Sequence, residues 1–186
     1  MIRTLPWLIA LALAGCSPAP QVQASAPEPK QPSSTEPTAP QPPSPPQAST
    51  AKPGDNPRRI YQLREFEKGK VVVNGKTFQV WIADTDGKIQ EGMMWLKPDE
   101  VKDDEGMLFL LPADEPQRFW MRNCPMALDI IFLSRDRKVL NIELGKPFDE
   151  TGVSSRGPSK YVLELKAGIA RKNGIRPGQT VEFQLP

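Results

Sequence analysis

Hydrophobic and polar positions divide the chain into three stretches. Residues 5–14 form a mostly apolar run, too short to span a bilayer stably. Residues 17–57 contain no aromatic residue and one large aliphatic, Val22. From Arg58 onward the pattern becomes that of short strands. Lys70–Val73 and Lys76–Ala83 flank Asn74-Gly75, the strongest short hairpin signal. In the second of these, Phe78, Val80 and Ile82 alternate with Thr77, Gln79 and Trp81, the period-two pattern of a sheet with a buried face. Asp84 or Thr85 can cap a short helix running toward Met94, which Gly87 and Gly92 limit to about two turns. Gly106–Leu111 is a continuous apolar run, expected as a strand covered on both faces and ended by Pro112.

Further strands are expected at Phe119–Arg122, Leu128–Leu133, Val139–Leu144, Tyr161–Leu165 and Thr180–Gln184. A loop carrying Pro147, Gly152, Gly157 and Pro158 interrupts them, and Ala167–Asn173 reads as a short helix closed by Gly174. The expectation is a mainly β fold, a compact antiparallel β-sandwich or barrel-like domain with one or two short helices. The expected boundaries are 1–15 for a signal peptide, 16–57 for a tether, and 58–186 for the β-rich domain.

The amino terminus carries an address. Arg3 precedes the apolar run, and Leu13-Ala14-Gly15-Cys16 ends it. This resembles the lipobox of bacterial lipoproteins. The resemblance implies that Cys16 is lipidated and becomes the first residue of the mature chain. Two or three acyl chains anchor stably where one does not. The expected location is the cell envelope, exported and lipid-anchored: the outer membrane of a two-membraned bacterium, or otherwise the outer face of the plasma membrane.

Composition sharpens the middle stretch. Residues 17–57 hold 13 of the 22 prolines. Such a segment cannot bury enough apolar surface to offset its ordering entropy, and dense proline favours extended spacers. A disordered tether is expected there.

Residue counts exclude whole chemistries. Histidine is absent, which removes Ser-His-Asp and Cys-His catalysis and His-based zinc sites. Of two cysteines one is the lipid site, so Cys124 has no partner for an intramolecular disulfide and is expected as a buried, inert thiol. Residues 58–186 carry 21 Lys and Arg against 19 Asp and Glu, without the basic stripe of a nucleic-acid binder. No metal site or cofactor is expected, and the domain is expected to be a monomer.

Candidate chemistry concentrates between Phe119 and Phe132. If Pro125 sits in a tight turn joining two antiparallel strands, Arg122 faces Asp129 and Met121 faces Ile130. Arg122 and Asp129 would then form a cross-strand pair beside Trp120, with Asn123 adjoining. Arg suits a carboxylate or phosphate, and Trp can stack on a ring. The same cluster could instead be a structural ion pair. Asp129 and Glu164 are a conceivable acid–base pair, although Glu164 alternates with Leu163 and Leu165 as an exposed strand residue would.

Six fragments in order resemble the family catalogued as Domain of Unknown Function 192. They are Gly92-Met93-Met94, Gly106–Phe109, Phe119–Asn123, Leu128–Phe132, Ser155 before Gly157-Pro158, and Tyr161–Leu165 with Ala167-Gly168. The resemblance implies a compact β-rich fold, often exported or lipid-anchored, and brings no activity, substrate or cofactor. Two positions depart from the family pattern: Glu91 where Arg is usual, and Cys124 where Thr is common. The candidate ligand-binding residues are Trp120, Arg122, Asn123, Asp129, Ser155 and Glu164. The leading expectation is a non-catalytic binding module for a small molecule or a protein. The alternatives are a carboxylate-dependent envelope hydrolase and an assembly scaffold.

Overall fold

The structure, a computed structural model, describes residues 55–185. The expected signal segment, Cys16 and all but the last three residues of the expected tether lie outside them. Asn56 is already tied to the domain, its amide donating to the Trp95 carbonyl at 2.9 Å.

Seven strands form one sheet: β1 (Glu67–Val73), β2 (Lys76–Ala83), β3 (Glu105–Phe119), β4 (Leu128–Leu133), β5 (Val139–Gly145), β6 (Val153–Lys166) and β7 (Val181–Phe183). Two short helices accompany them, α1 (Asp86–Glu91) and α2 (Ile169–Lys172). The spatial order is β5-β4-β6-β3-β2-β1-β7. The sheet curls until its edges meet at one corner. There Val139 N donates to Gln179 O at 2.9 Å and Val181 N to Arg137 O at 2.8 Å. The result is a half-barrel, mainly β as expected.

Local chemistry explains the best-predicted elements. Asn74 (φ 50°) and Gly75 (φ 71°) close the β1–β2 hairpin, with Val73 opposite Lys76. Left-handed conformations at both central residues are what a two-residue hairpin turn requires. Thr85 caps α1, its side chain accepting from Lys88 N.

One pair departs from an all-antiparallel sheet: β2 and β3 are parallel, with Val80 opposite Gly106 and Ile82 opposite Leu108. A parallel pair needs a long crossover, and residues 84–104, containing α1, supply it. The second departure is length. Pro112 does not end β3, which continues to Phe119 through register shifts between Leu110 and Glu115 and between Pro116 and Arg118. Irregular positions are where a strand tolerates proline. The partner strand β6 likewise absorbs Gly157 and Pro158, with Pro158 opposite Pro116.

The expected hairpin between Phe119–Arg122 and Leu128–Leu133 does not form. Strand β4 pairs with β5 and β6 instead, and residues 120–127 are a loop. That loop is held by Met121 N to Asp149 O at 2.8 Å and Phe148 N to Cys124 O at 3.1 Å.

Both faces of the sheet are buried. On one lie Trp81, Met107, Phe109, Leu128, Ile130, Phe132 and Val162, covered by Met93, Leu96 and the 121–126 loop. On the other lie Val71, Val73, Phe78, Val80, Leu108, Ile131, Leu163 and Leu165, covered by Ile169, Ala170 and Ile175. This double cover is why Gly106–Leu111 reads as an unbroken apolar run and Leu128–Leu133 as one interrupted only by Asp129.

Candidate functional site

The β2–β3 crossover does more than connect strands. Helix α1 ends at Gly92, whose backbone (φ 49°, ψ −129°) suits only glycine. The turn brings Met93 and Met94 back over the sheet. Opposite stands the irregular far half of β3 and the 119–124 segment. Between these walls lies a cavity of about 320 Å³, within the range of small-ligand sites. Its walls are largely apolar, from Ile89, Met93, Phe109, Leu111, Phe119 and Met121. Phe119 packs edge-on to Phe109 at 5.1 Å and to Phe132 at 5.9 Å between ring centroids.

The most buried charged residue among those lining it is Glu164. It lies opposite Met107 on β3 and Ile130 on β4, so its side chain projects into the face those residues line. The residue is 4 % exposed, and its carboxyl has no hydrogen bond or ion pair among the described residues. Burial alone pushes its pKa up to about 8, so the group is mostly neutral at pH 7. Glu164 is therefore buried, not the exposed strand residue its alternation suggests. Alternation predicts exposure only where one sheet face meets water, and here neither does.

At the mouth stand Trp120, 42 % exposed, and Arg122, whose guanidinium lies 5.4 Å from the Trp120 ring centroid. Thus Trp120, Arg122 and Glu164 share one cavity. The other three predicted residues do not join them there. Asn123 adopts φ 56° and fixes the loop, its carbonyl accepting from Trp95 N at 2.8 Å. Ser155 stitches β3 to β6, accepting from Gln117 N at 2.9 Å and donating to Gly157 O at 2.7 Å.

Asp129 is the clearest displacement. It lies opposite Leu165, on the sheet face away from Glu164, and its carboxylate accepts from Ala170 N of α2 at 2.8 Å. The expected Arg122–Asp129 pair does not form, because the two residues are not on paired strands. Nor can Asp129 and Glu164 act as an acid–base pair across the sheet.

Cys124 is buried as expected, with its thiol donating to Met126 O at 3.4 Å. Burial, and then the neighbouring Glu164 carboxylate, push its pKa up to about 12, which leaves almost no thiolate near neutrality. Among the described residues no three His, Cys, Asp or Glu side chains converge to hold a metal ion.

A buried ion pair behind one cavity wall was not foreseen. Arg59 meets Glu91 at 3.5 Å, with side chains 1 % and 7 % exposed. Arg59 also donates to Gly92 O and Tyr61 O, both at 3.0 Å, and Glu91 accepts from Ile60 N at 2.7 Å and Tyr61 N at 2.9 Å. Burial lowers the Arg59 pKa, and Glu91 opposes that shift. The departure of Glu91 from the family pattern was the one available signal, and Arg59 supplies its counter-charge.

Comparison with known proteins agrees with the fold. A protein of unknown function from Novosphingobium aromaticivorans is 37% identical, with a TM-score of 0.60, covering 72% of this chain and 94% of its own. A Sinorhizobium meliloti protein, proposed to be a transcription regulator, is 31% identical, with a TM-score of 0.59, covering 63% and 95%. No curated protein matches the chain. Residues 69–183 match DUF192, described as an uncharacterized ACR. A sheet, a crossover and a match that spans nearly all the strands agree: this chain belongs to the DUF192 family.

Proposed function

We propose that the domain is a non-catalytic binding module that takes a small ligand into the cavity under Trp120 and Arg122. The observation that carries this is Glu164, a carboxyl buried in that cavity without a protein partner. Its oxygens face the cavity, so water or a ligand is what meets them there. A ligand that offers it a donor and an acceptor takes the place of that water, which is the sense in which such a group belongs to a site. The apolar walls supply affinity, and Arg122 over Trp120 supplies a cation at the entrance. Histidine is absent, Cys124 is held as a thiol, and the Asp129–Glu164 pair is split across the sheet, so binding accounts for the residues better than hydrolysis.

The proposed setting is the cell envelope, with Cys16 lipidated and the proline-rich segment holding the domain off the membrane. This part rests on the Leu13–Cys16 signal and the composition of residues 17–57. Nucleic acid is not a proposed partner, because 21 basic against 19 acidic residues in 58–186 leave little positive field.

The test is a thermal-shift screen of the chain against envelope metabolites, glycans and peptides, run beside Arg122→Ala. The expected result is a hit that Arg122→Ala loses while its own melting temperature stays within a few degrees. A large drop in the variant's melting temperature would make Arg122 a structural residue and defeat its role at the entrance.

A further inference from the structure

The chemistry of the cavity narrows what it can hold. A neutral carboxyl presents one O–H donor and one C=O acceptor side by side. The group that satisfies both at once has the complementary pair, an acceptor next to an N–H donor. A primary amide or a lactam, whose C=O and N–H lie on the same side, has this and stays uncharged inside apolar walls, whereas the trans amide of a peptide points the two apart. An ammonium would force Glu164 to ionise and would bury an ion pair, whose desolvation cost is hard to recover. A carboxylate at the buried end would bring its own charge to a site whose nearby buried cation, Arg59, is already held by Glu91.

The charged groups around Glu164 fit the same division. Cys124 faces it from the 119–124 segment as a thiol. From α1, Glu91 lines the cavity but is already held by Arg59, and Asp86 stands at the outer end. From the opposite wall come Arg118, which donates to Thr151 O, and Arg122. The strands flanking Glu164 contribute only Met107 and Ile130. Apart from the Arg59–Glu91 pair, the charged lining residues described stand toward the mouth, Arg122 among them.

We infer that the cavity takes a small, largely apolar ligand whose buried end is a primary amide or lactam paired with the Glu164 carboxyl and whose outer end is an anion facing Arg122. This rests on the proposed role of the cavity as a ligand site. Lactam acids and the monoamides of short dicarboxylic acids have that chemistry, and a volume of about 320 Å³ admits one such molecule.

The experiment is calorimetric titration of the full chain with adipamate (the monoamide of adipic acid), isopentylamine and isocaproate, at about pH 6 and about pH 9.5. Adipamate is expected to bind at the lower pH. Its affinity should fall roughly tenfold per pH unit once Glu164 ionises. Glu164→Gln should bind it with a flat pH profile, because a side-chain amide offers donor and acceptor at every pH. Glu164→Leu should not bind, and Arg122→Ala should bind about tenfold more weakly. If Glu164→Leu fails to fold, the flat profile of Glu164→Gln still decides. Isopentylamine binding that strengthens as pH rises would overturn the amide class and leave the cavity a ligand site. Isocaproate binding as tightly as adipamate at both pH values would overturn it too. No binding by any of the three would overturn both this inference and the proposed function.

Discussion

Asp129 and Glu164 lie one register step apart on neighbouring strands and point to opposite faces of the sheet. Asp129 is opposite Leu165 and Glu164 is opposite Ile130. The two carboxyls therefore do unrelated work. One tethers α2 to β4, and the other lines the cavity.

Asp129→Ala should destabilise the fold and leave the cavity alone. It strips the Ala170 N–H of its buried acceptor, a loss of about 1–3 kcal/mol. Urea unfolding measures the first effect and ligand titration the second. A variant of normal stability that lost binding would contradict this division.

Glu164 should make stability depend on pH with a definite sign. Its folded pKa, about 8, lies above the ordinary value of 4.5. Between these, the unfolded chain releases the proton and the folded chain keeps it. Stability is thus highest below about pH 4.5 and is lost as pH rises through 8, by up to about 1.4 kcal/mol per pH unit. Urea unfolding of the chain and of Glu164→Gln across this window should show the slope only with the carboxyl. Parallel profiles would mean that Glu164 is solvated in the folded state.

Arg59 and Glu91 should be strongly coupled. Removing either partner leaves a buried charge unpaired, at a cost of about 3–5 kcal/mol. Arg59→Ala with Glu91→Ala should cost less than the sum of the two, by more than about 1 kcal/mol in a double-mutant cycle. Simple additivity would show that each acts only through its backbone hydrogen bonds.

Gly92→Ala should distort the cavity as well as the helix end. Its Cβ would meet the Phe109 ring at 3.1 Å, on a backbone already at φ +49°. The expected loss is about 1–3 kcal/mol. Because Phe109 is a cavity wall, affinity for any ligand found there should change too. Unchanged affinity in a destabilised variant would separate the wall from the site.

Much of the sheet was legible because its cues are local. The Asn74-Gly75 turn and the Thr85 cap act over a few residues, so they survive any tertiary context. The unbroken apolar run at Gly106–Leu111 correctly signalled cover on both faces. What escaped depends on distant chain. Nothing in Pro112 tells that β6 offers an irregular partner carrying Gly157 and Pro158. Nothing near Leu128 tells that β6 and β5 compete successfully with the preceding segment for its edges. The site was half legible. Trp120, Arg122 and Glu164 do share a cavity, but what joins them is the α1 crossover folding over the sheet. Asp129 looked like Arg122's partner only while β4 was assumed to pair backward along the chain.

Strands β1 and β7 are neighbours although they lie at opposite ends of the domain. Val71 and Val73 complete their packing only when Phe183 and Val181 arrive opposite them. During synthesis the first hairpin emerges early, yet the edge it offers waits for β7, the last strand of the sheet. Local contacts form fast and distant ones slowly, so the closing step belongs to β7. A chain cut short by even this one three-residue strand would leave the half-barrel unsealed along its first strand, exposing an edge able to pair with another molecule.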